Sequence, residues 1–373
     1  MSAVAPVLVL AAAAASAKKL IEFGWDIPSP TYVSRHIRQM EARPFDGVVI
    51  RSEAGSKVFL HDTYSPIQVD IDRRRLRDAR FETFTDNFLL IWATADAGWD
   101  WFDESDWRSA EHNLRGLARI AGAGRLRGVL FDPEPYGPNP WAYAKQPRAS
   151  ERSFADYQVI IRQRGERFMR ILSARLPDVR VLSLFHVGLF ANLLELPDRA
   201  AVDERLAAHA YGLLPSFLQG WLDAAGRGAQ IIDGNEFAYY YRGPAAYFQA
   251  FHTTRQRGAT LFDAGSAEEY ARRVRLGQAV YIDLVYGLSP VPQAQLARAL
   301  TPEERAAWLE HNVYYALYTA DEYVWCYGEQ LDWWKGQLPQ GAEEAIRRAR
   351  SKIAHGEPLG FTLEEMLKAA ESR

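Results

Sequence analysis

Apolar residues in this chain gather in eight short runs, each closed by a turn signal or a polar exit. They are KLIEFGWD (19–26), DGVVIRSE (46–53), NFLLIWATAD (87–96) and RGVLFDPE (127–134), then VRVLSLFHV (179–187), AQIIDGNEF (229–237), AVYIDLVYG (279–287) and EYVWCYGE (322–329). Within the runs Val, Ile, Leu and Phe follow one another with little polar alternation. That is the mark of strands buried on both faces, and so of a parallel sheet.

Between the runs the apolar spacing lengthens to three and four residues, which predicts helices. Residues 105–122 put Trp107, Leu114, Leu117 and Ile120 on one stripe, and 153–177 repeat the pattern up to Pro177. Residues 266–277 open with Ser266 and Glu269 at capping-box spacing and close on Gly277. In 301–320, Thr301 is the expected N-cap with Pro302 at the first helical position. The connection 54–86 shows only a scrap of helix, at 73–79, and 341–356 reads as a closing outer helix. No Gly/Ser linker interrupts the alternation. The pattern therefore predicts an α/β fold, a single (β/α)8 TIM barrel over residues 18–373. An open Rossmann-type sheet is the alternative, but no G-x-G-x-x-G follows the first run.

Composition narrows the reading. The 373 residues are 48% apolar and 24% charged, enough for a large core, and α/β barrels commonly use such a length as one domain. The net charge of −3 comes from interleaved acids and bases without a basic stripe, which argues against a nucleic-acid partner. Residues 1–17 look like a signal peptide: Val4 to Ala15 is apolar and an A-S-A pattern ends at Ala17, although no basic residue precedes it. The expectation is a secreted or periplasmic protein. No stretch is long and apolar enough to span a membrane, and the single Cys326 cannot form an internal disulfide.

Chemistry in such a barrel gathers at the carboxyl ends of the strands. The runs end in Asp26, Glu53, Asp96, Asp132, Glu134, Asp233, Glu236, Asp283 and Glu329, joined by His186. Glu53 and Asp96 read as loop residues or caps. In F-D-P-E-P, Asp132 and Glu134 stand two apart and share a face, each held extended by the following proline. Two carboxylates so close cannot both ionise freely, so one pKa should rise, and a carboxylic acid protonated near neutral pH is what general-acid catalysis requires. The plainer alternative is a strand-end Asp capping the next turn, beside a solvated Glu.

Aromatic residues crowd the same strand ends: Trp25, Trp99, Trp101, Tyr136, Trp141, Tyr239, Tyr240, Tyr241, Trp325, Tyr327, Trp333 and Trp334. Acids beside flat ring faces suit a carbohydrate site. Glu134 and Asp132 are the expected catalytic pair. Glu236 is the first choice for a second acid and Glu329 the next, with Asp283 also possible by position. Trp25, Asp26, Tyr136, His186, Asp233, Tyr239, Asp283, Trp325, Tyr327 and Trp333 are expected to bind substrate. Retention or inversion would follow from the carboxylate separation, about 5–5.5 Å against roughly 6.5–9.5 Å.

The G-x-x-x-D-x-E run closing the fourth strand (Gly128, Asp132, Glu134) resembles family 18 chitinases and endo-N-acetylglucosaminidases, and more loosely family 25 lysozymes. That resemblance implies a barrel glycosidase with Glu134 as proton donor and Asp132 orienting a substrate 2-acetamido group. Where the chitinase signature carries two further Asp, this chain has Arg127 and Leu130.

Two other classes remain. A metal-dependent barrel isomerase or hydrolase could use Asp132, Glu134, His186, Asp233 and Glu236, because oxygen-rich sites suit Mg or Mn. No H-x-H or H-E-x-x-H pairing accompanies them. A non-catalytic carbohydrate-binding barrel would use the aromatic rim alone. G-x-S-x-G is absent, which leaves a serine hydrolase without support. The glycosidase reading calls for no cofactor and no metal.

Overall fold

The computed structural model describes residues 18–196 and 198–371, so the segment read as a signal peptide lies outside them. Ten strands form one sheet: β1 (Lys19–Glu22), β2 (Gly47–Ile50), β3 (Lys57–Phe59), β4 (Phe88–Ala95), β5 (Gly128–Asp132), β6 (Arg180–Ser183), β7 (Gln230–Asp233), β8 (Val274–Leu276), β9 (Gln278–Tyr281) and β10 (Tyr323–Tyr327). Every pairing is parallel. Two staves are split. Strand β2 pairs with the start of β4 and β3 with its end, so they act as one stave along β4. Strands β8 and β9 are separated only by Gly277; β8 pairs with β7 and β9 with β10, which completes the ring. Eight staves result, and the fold is an α/β TIM barrel. Burial on both faces explains the unbroken apolar runs: every residue of β5 is buried.

Thirteen α-helices, among the described residues, fill the connections together with short 3-10 and π turns: α1 (Pro30–Met40), α2 (Pro66–Asp78), α3 (Glu104–Ala123), α4 (Phe154–Ser173), α5 (Arg199–Ala208), α6 (Leu214–Ala224), α7 (Pro244–His252), α8 (Ala267–Arg273), α9 (Ile282–Val285), α10 (Gln295–Ala299), α11 (Pro302–Thr319), α12 (Ala342–His355) and α13 (Leu363–Glu371). The start of α11 is as expected: Thr301 and Glu304 form a reciprocal capping box and Pro302 opens the helix. Helix α4 opens the same way on Ser153 and Asp156.

Three expectations fail locally. The helix expected over 266–277 stops at Arg273, and Val274–Leu276 become strand. Ser266 is not its side-chain cap, because its hydroxyl accepts from Gln219 Nε2 at 2.7 Å. The run 279–287 is strand only to Tyr281 and then coils into α9, so the seventh stave sits several residues earlier than its apolar pattern suggests. The connection 54–86 holds β3 and the full thirteen-residue α2, opened by Ser65 and Pro66.

Behind the staves lies a dense aromatic core. Trp99, Trp101 and Trp141, expected at the open rim, are instead buried with Phe59, Trp107 and Phe217, ring centroids about 5–6 Å apart. Trp101 Nε1 donates to the Pro140 carbonyl and Trp141 Nε1 to that of Pro133, both at 2.8 Å. The second bond ties the D-P-E turn to the core. Trp333 is likewise buried, edge-on to Phe45, and Trp334 Nε1 donates to the Asp26 carbonyl at 2.8 Å.

Candidate active site

Two adjoining hollows open at the carboxyl ends of the staves. The first, about 390 Å³, is lined by Glu134, Glu236 and Glu329 with the rings of Tyr211, Tyr240 and Tyr327. The second, about 250 Å³, is lined by Asp132, Glu134 and Glu236 with Trp25, Trp92 and Tyr136. Glu134, Glu236, Tyr239 and Tyr327 belong to both. The two glutamates thus stand on the boundary between the hollows. Trp25 is 66% exposed, Tyr136 53% and Tyr240 44%, so flat faces are open to a ligand.

Each glutamate of the cleft is set by a buried aspartate. Asp132, at the tip of β5, accepts the backbone N–H of Glu134 at 2.8 Å through Oδ1. Asp233, at the tip of β7, accepts from the N–H of Asn235 at 3.1 Å and of Gly188 at 2.9 Å. Asn235 is left-handed (φ 44°), a conformation Asn tolerates better than most residues, and the turn delivers Glu236. Asp283, on α9, accepts from the N–H groups of Glu329 at 2.6 Å and Gln330 at 2.9 Å. A short polar side chain capturing the backbone beyond it is a common way to fix a tight turn.

Asp132 and Glu134 are therefore not a matched pair at the surface. Asp132 is buried and caps the turn, whereas Glu134 is half-exposed and accepts the Tyr136 hydroxyl proton through Oε2 at 2.7 Å. Burial pushes the Asp132 pKa up to about 7, with the Glu134 charge adding to the rise and the Glu134 amide opposing it. Glu236 is pushed up to about 8, mainly by burial and then by the negative charges of Glu134 and Asp132. Burial and neighbouring negative charge thus favour the protonated form of Glu236 near neutral pH, in the same cleft as Glu134 and the Tyr136 hydroxyl that donates to it.

Asp26, His186 and Trp325, also expected at the site, line neither hollow. Asp26 accepts the Trp333 N–H at 2.7 Å, and burial lifts its pKa to about 6. Its neighbour Glu22, inside the barrel, is lifted further by burial and by Asp26. Gly24 between them is required by close approach, since a Cβ would lie 2.7 Å from the Gly328 carbonyl oxygen and 2.8 Å from Asp26 Oδ1. His186 is fully buried with its ring against Phe262, and burial lowers its pKa to about 3, so it is a neutral wall residue away from the cleft. Trp325 is buried as well, donating to the Gly234 carbonyl at 2.8 Å. Tyr239 stacks on Tyr327 with ring centroids 5.5 Å apart. Tyr327 accepts from Trp25 Nε1 at 2.6 Å and donates to Glu329 at 3.2 Å, linking both hollows.

The sequence reading missed Trp92, Tyr211, Arg51 and Lys57, all of which line the hollows. Trp92 lies inside an apolar strand run and reads as core. Tyr211 comes from the α5–α6 connection, and no local pattern places it beside Glu134. Among the described residues no group of three or more His, Cys, Asp or Glu is arranged to hold a metal ion. The constellation of Asp132, Glu134, His186, Asp233 and Glu236 is broken up, with His186 and Asp233 committed to the interior.

No protein-family model and no curated protein matches the chain. Among solved structures it is similar to PbGH5A, a glycoside hydrolase family 5 enzyme from Prevotella bryantii B14, at 10% identity and a TM-score of 0.47, covering 90% of this chain and 97% of that one. It is similar to a candidate sugar phosphate isomerase/epimerase from Anabaena variabilis ATCC 29413, at 14% identity and a TM-score of 0.46, covering 91% and 99%. It is also similar to a GH18 chitinase from Pseudoalteromonas aurantia, at 9% identity and a TM-score of 0.40, covering 89% and 99%.

Proposed function

We propose that this protein is a glycoside hydrolase whose catalytic carboxyls are Glu134 and Glu236. The observation that carries the reading is their place on the boundary of two ring-lined hollows. A glycan lying across that boundary would put one sugar in each hollow and the glycosidic oxygen beside both carboxyls. The Tyr and Trp faces would stack on the sugars while the acids act on the bond between them.

The electrostatics support a division of roles between the two. Glu236, protonated to about pH 8, is the proton donor to the leaving oxygen. Glu134, in hydrogen-bond contact with Tyr136, is the partner that either attacks the anomeric carbon or takes a proton from water. This reverses the role that the chitinase resemblance implies for Glu134. Asp132 supports Glu134 through its backbone.

The test is hydrolysis of a panel of polysaccharides and aryl glycosides by the native protein, Glu134→Gln and Glu236→Gln. A dinitrophenyl leaving group needs no proton. Glu236→Gln is therefore expected to keep activity on dinitrophenyl glycosides and lose it on natural glycans, while Glu134→Gln loses both. The reverse pattern would exchange the two roles. Turnover unaffected by either substitution would end the proposal.

A further inference from the structure

The second hollow has a cationic end. Arg51, directly after β2, and Lys57, the first residue of β3, both line it with Trp92. Both side chains are exposed and, among the described residues, neither forms an ion pair. The Arg51 guanidinium lies over the Trp92 ring, 5.9 Å from its centre. Such stacking orients a guanidinium and leaves its N–H fork free. Lys57 pairs in register with Trp92, so cation, ring and cation are fixed on neighbouring staves. The loop between the two cations is held by Ser52, whose hydroxyl donates to the buried Asp72 at 2.7 Å, and by the Trp92 N–H donating to the Ser56 carbonyl at 2.8 Å.

The same three residues line a further hollow of about 350 Å³, so the cleft continues past them. Glu53 borders this extension as well; its carboxylate accepts from Thr31 Oγ1 at 2.9 Å and Gln68 Nε2 at 3.5 Å and pairs with neither cation. Asp132, Glu134 and Glu236 line the same hollow without forming an ion pair with either cation.

We propose that the substrate is an anionic glycan whose acidic group, a uronate carboxylate or a sulfate ester, sits between Arg51 and Lys57 while its ring lies on the Trp25 and Trp92 side of the cleft. This rests on the reading of the cleft as a glycan site and adds the substrate class. A planar guanidinium and a mobile ammonium are complementary to a carboxylate or sulfate, and unpaired cations gain more from an anionic group than from a neutral hydroxyl. The net charge of the whole chain is −3, so general attraction to polyanions does not supply the same result.

The test is electrophoresis of the full chain through native gels containing polygalacturonate, alginate, chondroitin or chondroitin sulfate, against gels containing laminarin, galactomannan or hydroxyethyl cellulose. Retardation by at least one polyanion and not by the neutral polymers is expected, weakened about tenfold in the double variant Arg51→Gln, Lys57→Gln and reduced by salt. Arg51→Lys should retain part of it, which separates charge from fold. Chondroitin compared with its sulfate tells carboxylate from sulfate. Retardation by neutral polymers alone, by none, or unchanged in the double variant overturns the inference. Cleavage of a neutral glycan that needs Glu134 but not Arg51 or Lys57 would overturn it and leave the hydrolase standing. Arg51-dependent retardation with no turnover on any glycan would do the opposite.

Discussion

Two aromatic assemblies in this barrel use the same side chains for opposite ends. In one, Trp99, Trp101, Trp107 and Trp141 pack with Phe59 and Phe217 behind the staves, each ring at most 4% exposed. In the other, Trp25, Trp92, Tyr136 and Tyr240 stand around the acids with faces left open. The polar atoms show the difference. Trp101 and Trp141 spend their N–H groups on main-chain carbonyls, whereas Tyr136 and Tyr327 spend their hydroxyls on Glu134 and Glu329. Trp101 and Trp141 thereby fasten the backbone and support the fold, whereas Tyr136 and Tyr327 steady carboxylates that line the cleft.

That contrast can be broken by substitution. The largest effect is expected at the acids: Glu134→Gln should cut the turnover of a cleaved glycan by about a thousandfold or more while leaving the melting temperature in place. Trp141→Ala, in the buried assembly, should cost about 3–5 kcal/mol in denaturant unfolding, and the D-P-E turn it holds should loosen, so activity falls with stability. Trp25→Ala, in the open assembly, should change stability by less than about 0.5 kcal/mol but weaken oligosaccharide binding about tenfold by calorimetry. Equal stability losses at Trp25 and Trp141 would dissolve the distinction.

Smaller effects follow pH. Glu236 binds its proton more tightly in the folded chain than in the unfolded one, with its pKa raised from 4.5 to about 8. Its contribution to stability is therefore complete below about pH 4.5 and is lost as the pH climbs through about 8. Asp132, raised from 3.8 to about 7, acts in the same direction over a lower window. Melting temperatures of the native protein should decline from pH 5 to pH 9, and Glu236→Gln should flatten the upper part of that decline. The alkaline limb of kcat/KM should fall near pH 8 as the donor ionises. A limb that persists in a variant lacking Glu236 would remove it from the role.

Sequence and structure agree on most of the staves, the seventh excepted, and diverge on what surrounds them. Glu134, Glu236 and Glu329 were legible as strand-end acids, and all three line the cleft. Asp132, Asp233 and Asp283 carried the same signal, yet each is turned inward to hold the N–H of a residue beyond it. A one-dimensional pattern cannot separate these outcomes, since both need an acid at the end of a strand. Arg51 and Lys57 carried no signal because a lone cation in a polar loop is ordinary until a cavity forms around it.

The linear pattern of apolar runs, prolines and caps determined the barrel, because burial on both faces and the chemistry of helix starts are local properties that each segment expresses by itself. Only the closed ring decided which acids meet, which tryptophans stay wet and which cations stand without a partner. Those properties depend on distances between residues scores of positions apart, which chain closure fixes and no neighbouring residue encodes.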